Sequence, residues 1–324
     1  FYCQSDGVWS YDNGRDGHWQ SILNPKNDRD TLDLYFTQFR EHTQEPFDKT
    51  DKYATGRPLK PVIVHEMGNY TTFSRPDLAD RFRHNVKPFW LTAGVERLKG
   101  LGLLEESARW ALASERLYAL LHKQNIEMLR KNPYLSGYHW WLFQDYWTTS
   151  NGLVDHYFRP KSIAPAEVLA YNGEAALLED GLARTYRGGE RLRTSLALSN
   201  VSPGPLGGDL EWEVGAGGRA LARGTSPAGP AGPGGVGVLL EIGADLPETE
   251  AHVRLTVSAR LRAGPRRYEN AWTAWLYPRA PAPSARPAAA LFADAAALAL
   301  LPPAWGARPI PAEGPLDANA VYAV

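Results

Sequence analysis

Past residue 165 or so, apolar and polar side chains alternate so regularly that half-buried strands are the natural solution. Leu192, Thr194, Leu196 and Leu198 alternate with Arg193, Ser195 and Ala197. Leu210, Trp212 and Val214 alternate with Glu211 and Glu213, and Val253, Leu255 and Val257 with Arg254, Thr256 and Ser258. Successive side chains of a strand point to opposite faces, so a period of two gives one face to a core and the other to water. Gly/Pro turns break the runs, and residues 166–279 therefore read as an all-β, immunoglobulin-like sandwich. Within it, Pro227 to Gly235 is a low-complexity Gly/Pro/Ala stretch that reads as a flexible loop.

Residues 1–165 follow another pattern: polar, aromatic and loop-rich, with short apolar runs. Four strands are expected, at Phe1 to Ser5, Leu32 to Phe36, Pro61 to His65 and Gly137 to Phe143. Val62, Ile63 and Val64 are apolar in succession, the signature of a strand buried on both faces in a barrel or parallel sheet. The first three candidates start about thirty residues apart, the spacing of an α/β (β/α)8 barrel. A helix is expected over roughly Glu105 to Lys131, where Ala108, Ala111, Leu112, Tyr118, Leu121 and Met128 recur near helical spacing and Pro133 closes the run. Between Gly7 and Thr31 no helical periodicity is visible. Residues 280–324 open on a Pro/Ala linker, Ala280 to Pro287. Ala288 to Leu301 then reads as one strand and one helix of a truncated C-terminal module.

A length of 324 residues accommodates two or three domains, and a hydrophobic fraction of 44% can supply their cores. The net charge of −1 gives no electrostatic reason to expect nucleic acid or an anionic membrane as partner. The single cysteine, Cys3, rules out an internal disulfide, so nothing points to an oxidising compartment. No run approaches the roughly eighteen apolar residues of a membrane helix. The chain opens without Met, in what reads as mid-strand, so a targeting segment is expected upstream if there is one. Compartment and oligomeric state are left open. Trp and Tyr, eleven and fifteen in number, concentrate before residue 160. Their flat faces and polar edges suit stacking on sugar rings, although ordinary core and loop roles account for most of them.

Two segments hold candidate chemistry. In Lys60-Pro61-Val62-Ile63-Val64-His65-Glu66-Met67-Gly68-Asn69-Tyr70, a Glu follows a fully buried strand and a Gly lets the chain turn away. Catalytic residues of barrel enzymes gather at such C-terminal strand ends. A carboxylate there can attack an anomeric carbon and form a glycosyl-enzyme. An exposed loop carboxylate is the other reading of a Glu so placed. In Ser136-Gly137-Tyr138-His139-Trp140-Trp141-Leu142-Phe143-Gln144-Asp145-Tyr146, a bulky strand ends in polar residues. Trp141 and Asp145 fall on one face, the first suited to floor a sugar subsite and the second to accept hydrogen bonds from hydroxyls. The eight His form no HExxH, and no GxGxxG or Walker A pattern follows a strand.

Together these segments resemble glycoside hydrolase family 2, the β-galactosidase and β-glucuronidase family. The Pro-apolar-Glu-x-Gly pattern ending in Glu66 and Gly68 is similar to that family's seventh barrel strand. Gly137, Trp141, Phe143, Asp145 and Tyr146 resemble its eighth. Gly152-Leu153-Val154-Asp155 and Arg159-Pro160-Lys161 resemble the segments that leave the barrel. Tyr268 to Pro278 is similar to the closing strand of the following sandwich. The resemblance covers residues 1 to about 278 and implies a partial (β/α)8 barrel (strands 5–8) over residues 1–165. It also implies Glu66 as nucleophile of a retaining exo-β-glycosidase, with no metal or organic cofactor and a β-glycoside as partner. Asp6, at the end of the fifth strand, and Tyr35, on the sixth, are further substrate-contact candidates, and His65 and Tyr70 flank the nucleophile. The family's acid/base lies in an Asn-Glu pair, and no Asn-Glu dipeptide occurs here. The general acid is therefore expected upstream, and this stretch alone is expected to be inactive. A non-catalytic carbohydrate-binding protein is the alternative.

Overall fold

A computed structural model describes residues 32–35, 62–67, 70–83, 87–132, 135–146, 148–279, 290–301, 303–311 and 321–323. The first three strands are β1 (Leu32–Tyr35), β2 (Val62–Met67) and β3 (Leu135–Trp140). They form one sheet in the order β1-β2-β3. Both pairings are parallel, as the consecutive apolar residues of β2 suggest.

This corrects the expected architecture. Among the described residues the sheet is open: β1 and β3 each have one neighbour, and no strand bonds them to each other. Closing a barrel requires every strand to have two neighbours. The expected strand Phe1 to Ser5 lies outside the described residues. The fold shown is mixed α/β with open sheets, sandwich-like after an N-terminal helical part, rather than a partial (β/α)8 barrel followed by an immunoglobulin-like sandwich.

Between β2 and β3 lie a 3₁₀ turn (Pro76–Arg81), α1 (Phe89–Gly100) and α2 (Ser107–Lys131). The buried stripe of α2 runs Ala111, Glu115, Tyr118, His122, Asn125 and Leu129. The steps of four and three are those of a helix face against a core. Unusually, half of that stripe is polar. The last turn carries Arg130 and Lys131, cations that complement the helix dipole. After β3 a loop leads to α3 (Pro165–Asn172).

The sandwich-like part comprises β4 (Ala175–Asp180), β5 (Thr185–Arg187), β6 (Arg191–Asn200) and β7 (Leu206–Ala216). It continues with β8 (Arg219–Ala231), β9 (Gly235–Asp245), β10 (Val253–Ala263) and β11 (Arg266–Tyr277). They form a three-stranded sheet, β4-β6-β9, and a five-stranded sheet, β5-β11-β10-β7-β8. One apolar core joins them: Leu177, Leu196 and Leu198 from the first meet Leu210, Val214, Leu255, Val257 and Leu261 from the second. Burying each such side chain stabilises by about 1.5–3 kcal/mol. The expected flexible loop Pro227 to Gly235 is mostly strand instead. Asp209 pairs with Pro227 and Leu206 with Ala231. β8 is the outermost strand of its sheet, where a proline lacking an N–H is tolerated.

Helix α2 is fastened to the sandwich through its C-terminal half. Glu127 accepts hydrogen bonds from Asn270 Nδ2 (2.7 Å) and Trp272 Nε1 (3.0 Å). Arg130 donates to the Gly173 carbonyl at 2.7 Å, and Lys131 pairs with Asp180 at 2.8 Å. Beyond the sandwich, β12 (Leu291–Ala293), α4 (Ala295–Leu300), β13 (Arg308–Pro309) and β14 (Val321–Ala323) follow. The three strands form a small parallel sheet in the order β13-β12-β14.

Candidate functional site

Parallel register fixes which strand ends meet. Tyr35 pairs with His65, and Met67 pairs with Trp140. The C-terminal ends of β1, β2 and β3 therefore lie at one edge of the sheet. That edge brings together the backbone at Tyr35, His65 and Glu66 and, one residue past β3, Trp141. The Trp141–Leu142 peptide there is cis, and Trp141 is half-buried. Asp6 lies outside the described residues.

Helix α2 supports this edge. Trp140 Nε1 donates to Tyr118 Oη at 2.9 Å, and Tyr118 Oη donates to the Asn151 carbonyl at 2.8 Å. His122 packs against Trp140 with ring centroids 4.1 Å apart, its Nδ1 2.8 Å from Tyr171 Oη. Burial lowers the His122 pKa to about 4 and pushes the Tyr118 phenol up. One turn on, Asn125 Nδ2 donates to Tyr70 Oη at 3.0 Å. Tyr70, four residues beyond Glu66, is thus held from the helix. Glu115, 1% exposed, accepts a bidentate pair from Arg75 (2.5 and 2.7 Å) and a hydrogen bond from Ser162 Oγ (2.9 Å).

Past Trp141 the chain doubles back on itself. Leu142 N donates to Asn151 O, Val154 N to Phe143 O and Asp145 N to Val154 O, at 3.0–3.2 Å. The approach is too close for a side chain at Gly152, where a Cβ would lie 2.2 Å from Asp145 N. This is the physical content of the Gly in Gly-Leu-Val-Asp. Asp145 sits under the turn with its side chain 0% exposed, paired at 2.6 Å with Lys161, itself 3% exposed. Gly152 N donates to Oδ1 at 2.8 Å and Ser150 Oγ to Oδ2 at 3.0 Å. Asp145 therefore faces protein donors rather than an open subsite. Burial lowers the Lys161 pKa, against the opposing pull of the Asp145 carboxylate.

The backbone positions of Tyr35, His65, Glu66 and Trp141 thus lie at one edge of the sheet, and the side chains of Tyr70 and Asp145 are held by Asn125 and by Lys161. Reasoning from sequence passed over Thr72, Glu115, Asn125 and Lys161. For Glu115, His122 and Asn125 the available signal was a polar residue at three of the six core positions of the helix stripe. Lys161 was visible only as the last residue of Arg-Pro-Lys.

A groove of about 1080 Å³ lies elsewhere, between α2, α3 and the five-stranded sheet. Arg116, Lys123, Glu127, Glu213, Arg223 and Arg260 line it, and Glu66, Tyr70, Trp141 and Asp145 do not. Much of its charge is internally paired: Lys123 with Glu127, and Arg260 with Glu211 and Glu269. Among the described residues no helix is long and apolar enough to cross a membrane. No cluster of three His, Cys, Asp or Glu among them could hold a metal ion.

The family described as Domain of unknown function (DUF8488) matches residues 190–278, the stretch from β6 through β11. No curated protein matches the chain. Among solved structures, it is similar to the exo-chitosanase CsxA of Amycolatopsis orientalis, with 14% identity over 55% of this chain and 20% of that one, at a TM-score of 0.40. It is similar to β-glucuronidase 3 of Bacteroides uniformis, with 17% identity over 51% of this chain and 21% of that one, at 0.25. It is also similar to the sporulation control protein Spo0M of Bacillus subtilis, with 12% identity over 33% of this chain and 51% of that one, at 0.25. The likeness is weak. The chain spans about a fifth of the two glycosidase chains and about half of Spo0M.

Proposed function

We propose that residues 1–165 carry the nucleophile side of a retaining exo-β-glycosidase, β-galactosidase-like, with Glu66 as nucleophile. The observation that carries the reading is the parallel register of β2 with β3, which brings the end of the Glu66 strand beside Trp141. These are the two segments that the sequence singles out independently. In the reaction, the Glu66 carboxylate bonds to the anomeric carbon as the bond to the leaving oxygen breaks. That oxygen takes a proton from a general acid supplied by another stretch of the protein. Water then attacks the same carbon, giving up its proton to that group, and Glu66 is released. Trp141 floors the sugar subsite, and Tyr35, His65, Tyr70 and Asp6 are the remaining contact candidates. Asp145, whose oxygens are engaged by Lys161, Ser150 and Gly152, belongs to the frame. The chemistry requires no metal or organic cofactor. Residues 166–279 serve as a packing domain, and 280–324 as a linker and further small module.

The test is hydrolysis of a panel of aryl β-glycosides by the full-length protein and by Glu66→Gln. The expected result is hydrolysis with retention by the wild type and a loss of about 10⁴-fold or more in the variant. A variant that keeps its activity removes the nucleophile assignment. A wild type that binds sugars and cleaves none leaves a carbohydrate-binding protein.

A further inference from the structure

We propose that Lys161 and Asp145 are positioning residues that lock the backbone after Glu66 to the backbone after Trp141. The proposal rests on the reading of Glu66 as nucleophile. Three chain segments converge on one ammonium group. Lys161 Nζ donates to Asp145 Oδ1 at 2.6 Å, to Thr72 Oγ1 at 3.0 Å and to the Ser150 carbonyl at 3.0 Å, with Ser150 Oγ at 3.3 Å. Thr72 is bound a second time to the same loop: its N–H donates to Ser150 O at 2.8 Å and its Oγ1 to Ser150 O at 2.9 Å. Thr72 follows Glu66 by six residues, and Asp145 follows Trp141 by four.

Stability is a weak account of this arrangement, because replacing a buried ion pair by well-packed apolar residues of similar volume is often neutral or stabilising. An apolar cluster resists separation and leaves direction loose. An ammonium has three directional donors, and here they tie the lysine's own segment to two others, that of Thr72 and the loop holding Asp145 and Ser150. The result is a fixed placement of Thr72 against the loop from Asp145 to Ser150, Thr72 and Asp145 each lying five residues beyond the end of its strand. That is what an in-line displacement at an anomeric carbon needs, since a misplacement of about 1 Å costs on the order of 10²-fold in rate.

The primary variant is Thr72→Val, which preserves side-chain shape and leaves Lys161 its bonds to Asp145 and Ser150, so no buried charge is orphaned. The reagent is 2,4-dinitrophenyl 2-deoxy-2-fluoro-β-D-galactoside, applied to the full-length protein. Glu66 forms an ester to the anomeric carbon, the bond to the aryl oxygen breaks, and dinitrophenolate leaves with the electron pair. No proton donor is needed, so the rate reports on the nucleophile alone. The lock predicts a maximal inactivation rate about ten- to a hundredfold lower in Thr72→Val, an unchanged half-saturating concentration and an unchanged ester site. An unchanged rate overturns the lock while Glu66 remains the nucleophile, as does a change confined to half-saturation, which marks a substrate contact. A wild type not labelled at Glu66 overturns the nucleophile reading and, with it, the positioning role. Independently, Lys161→Met should speed hydrogen exchange at the Thr72 amide at least about tenfold while Leu255 and Val257 in the sandwich keep their protection. Equal exchange at Thr72 overturns the lock whatever the chemistry.

Discussion

Leu196 in β6 and Lys161 in the loop after β3 are both buried, yet they belong to interiors of opposite kinds. Around Leu196 lie Leu177, Leu198, Leu210, Leu255 and Leu261, all fully buried. The sandwich's buried polar groups include Glu179, Asn200 and Asn270, and Asn270 meets Glu127 of α2. Before residue 165 the buried set includes Thr72, Glu115, His122, Asn125, Asp145, Ser150, Asp155 and Lys161. An apolar core holds by excluded water and is indifferent to direction. A polar interior must satisfy every donor and acceptor, and in doing so it fixes geometry at a cost in stability. The sandwich is accordingly held by apolar burial, and the interior before residue 165 draws in addition on directed hydrogen bonds and ion pairs.

Substitutions should act locally and differently on the two. Lys161→Met leaves the Asp145 carboxylate buried without its cation and should cost about 3–5 kcal/mol. Adding Asp145→Asn should recover much of that, because both charges are then gone. Leu196→Ala should cost about 2–5 kcal/mol through lost burial and the cavity left behind. Hydrogen exchange resolved by peptide checks both. The first variant should loosen 70–83 and 141–161 before the sandwich, and the second should do the reverse. Equal loosening of both regions by either variant would remove the distinction.

A smaller effect separates the regions by pH. His122 is buried neutral, with its pKa lowered to about 4 by desolvation, while in the unfolded chain it titrates near 6.5. Between those values the unfolded chain binds the extra proton. The stability contribution is therefore complete above about pH 6.5, falls as pH drops and levels off below about 4. The loss is on the order of 3 kcal/mol at most. Urea denaturation followed from about pH 7.5 to about 4 should show the decline in wild type and a flatter curve in His122→Gln. The smallest effect belongs to the exposed Arg191–Asp245 pair on the sandwich, 49% and 82% exposed. There Arg191→Ala should shift stability by less than about 1 kcal/mol.

The same contrast explains what could be read in advance. The sandwich strands announce themselves because period-two alternation is a direct image of a half-buried strand, and β6, β7 and β10 lie where Leu192, Leu210 and Val253 suggest. β8 was hidden because Pro227 and Pro230 read as breakers, and only its place at the sheet's edge permits them. β2 was visible from Val62 to Val64, but how many strands its sheet has, and whether that sheet closes, depends on distant pairings that leave no local trace. The frame was least visible. Asn125 and Thr72 are ordinary polar residues in sequence, and their meaning comes from partners 55 and 78 residues away, Tyr70 and Ser150. Strand alternation puts Asp145 on the face of Trp141, and nothing in the alternation shows that a lysine sixteen residues on engages its carboxylate.

The most direct test of the account is the identity of the residue esterified by an activated 2-deoxy-2-fluoro-β-glycoside in the full-length protein, located by peptide mass spectrometry. The account predicts a single fluoroglycosyl adduct on Glu66, absent in Glu66→Gln. An adduct on another carboxylate, or labelling that persists in Glu66→Gln, would contradict it.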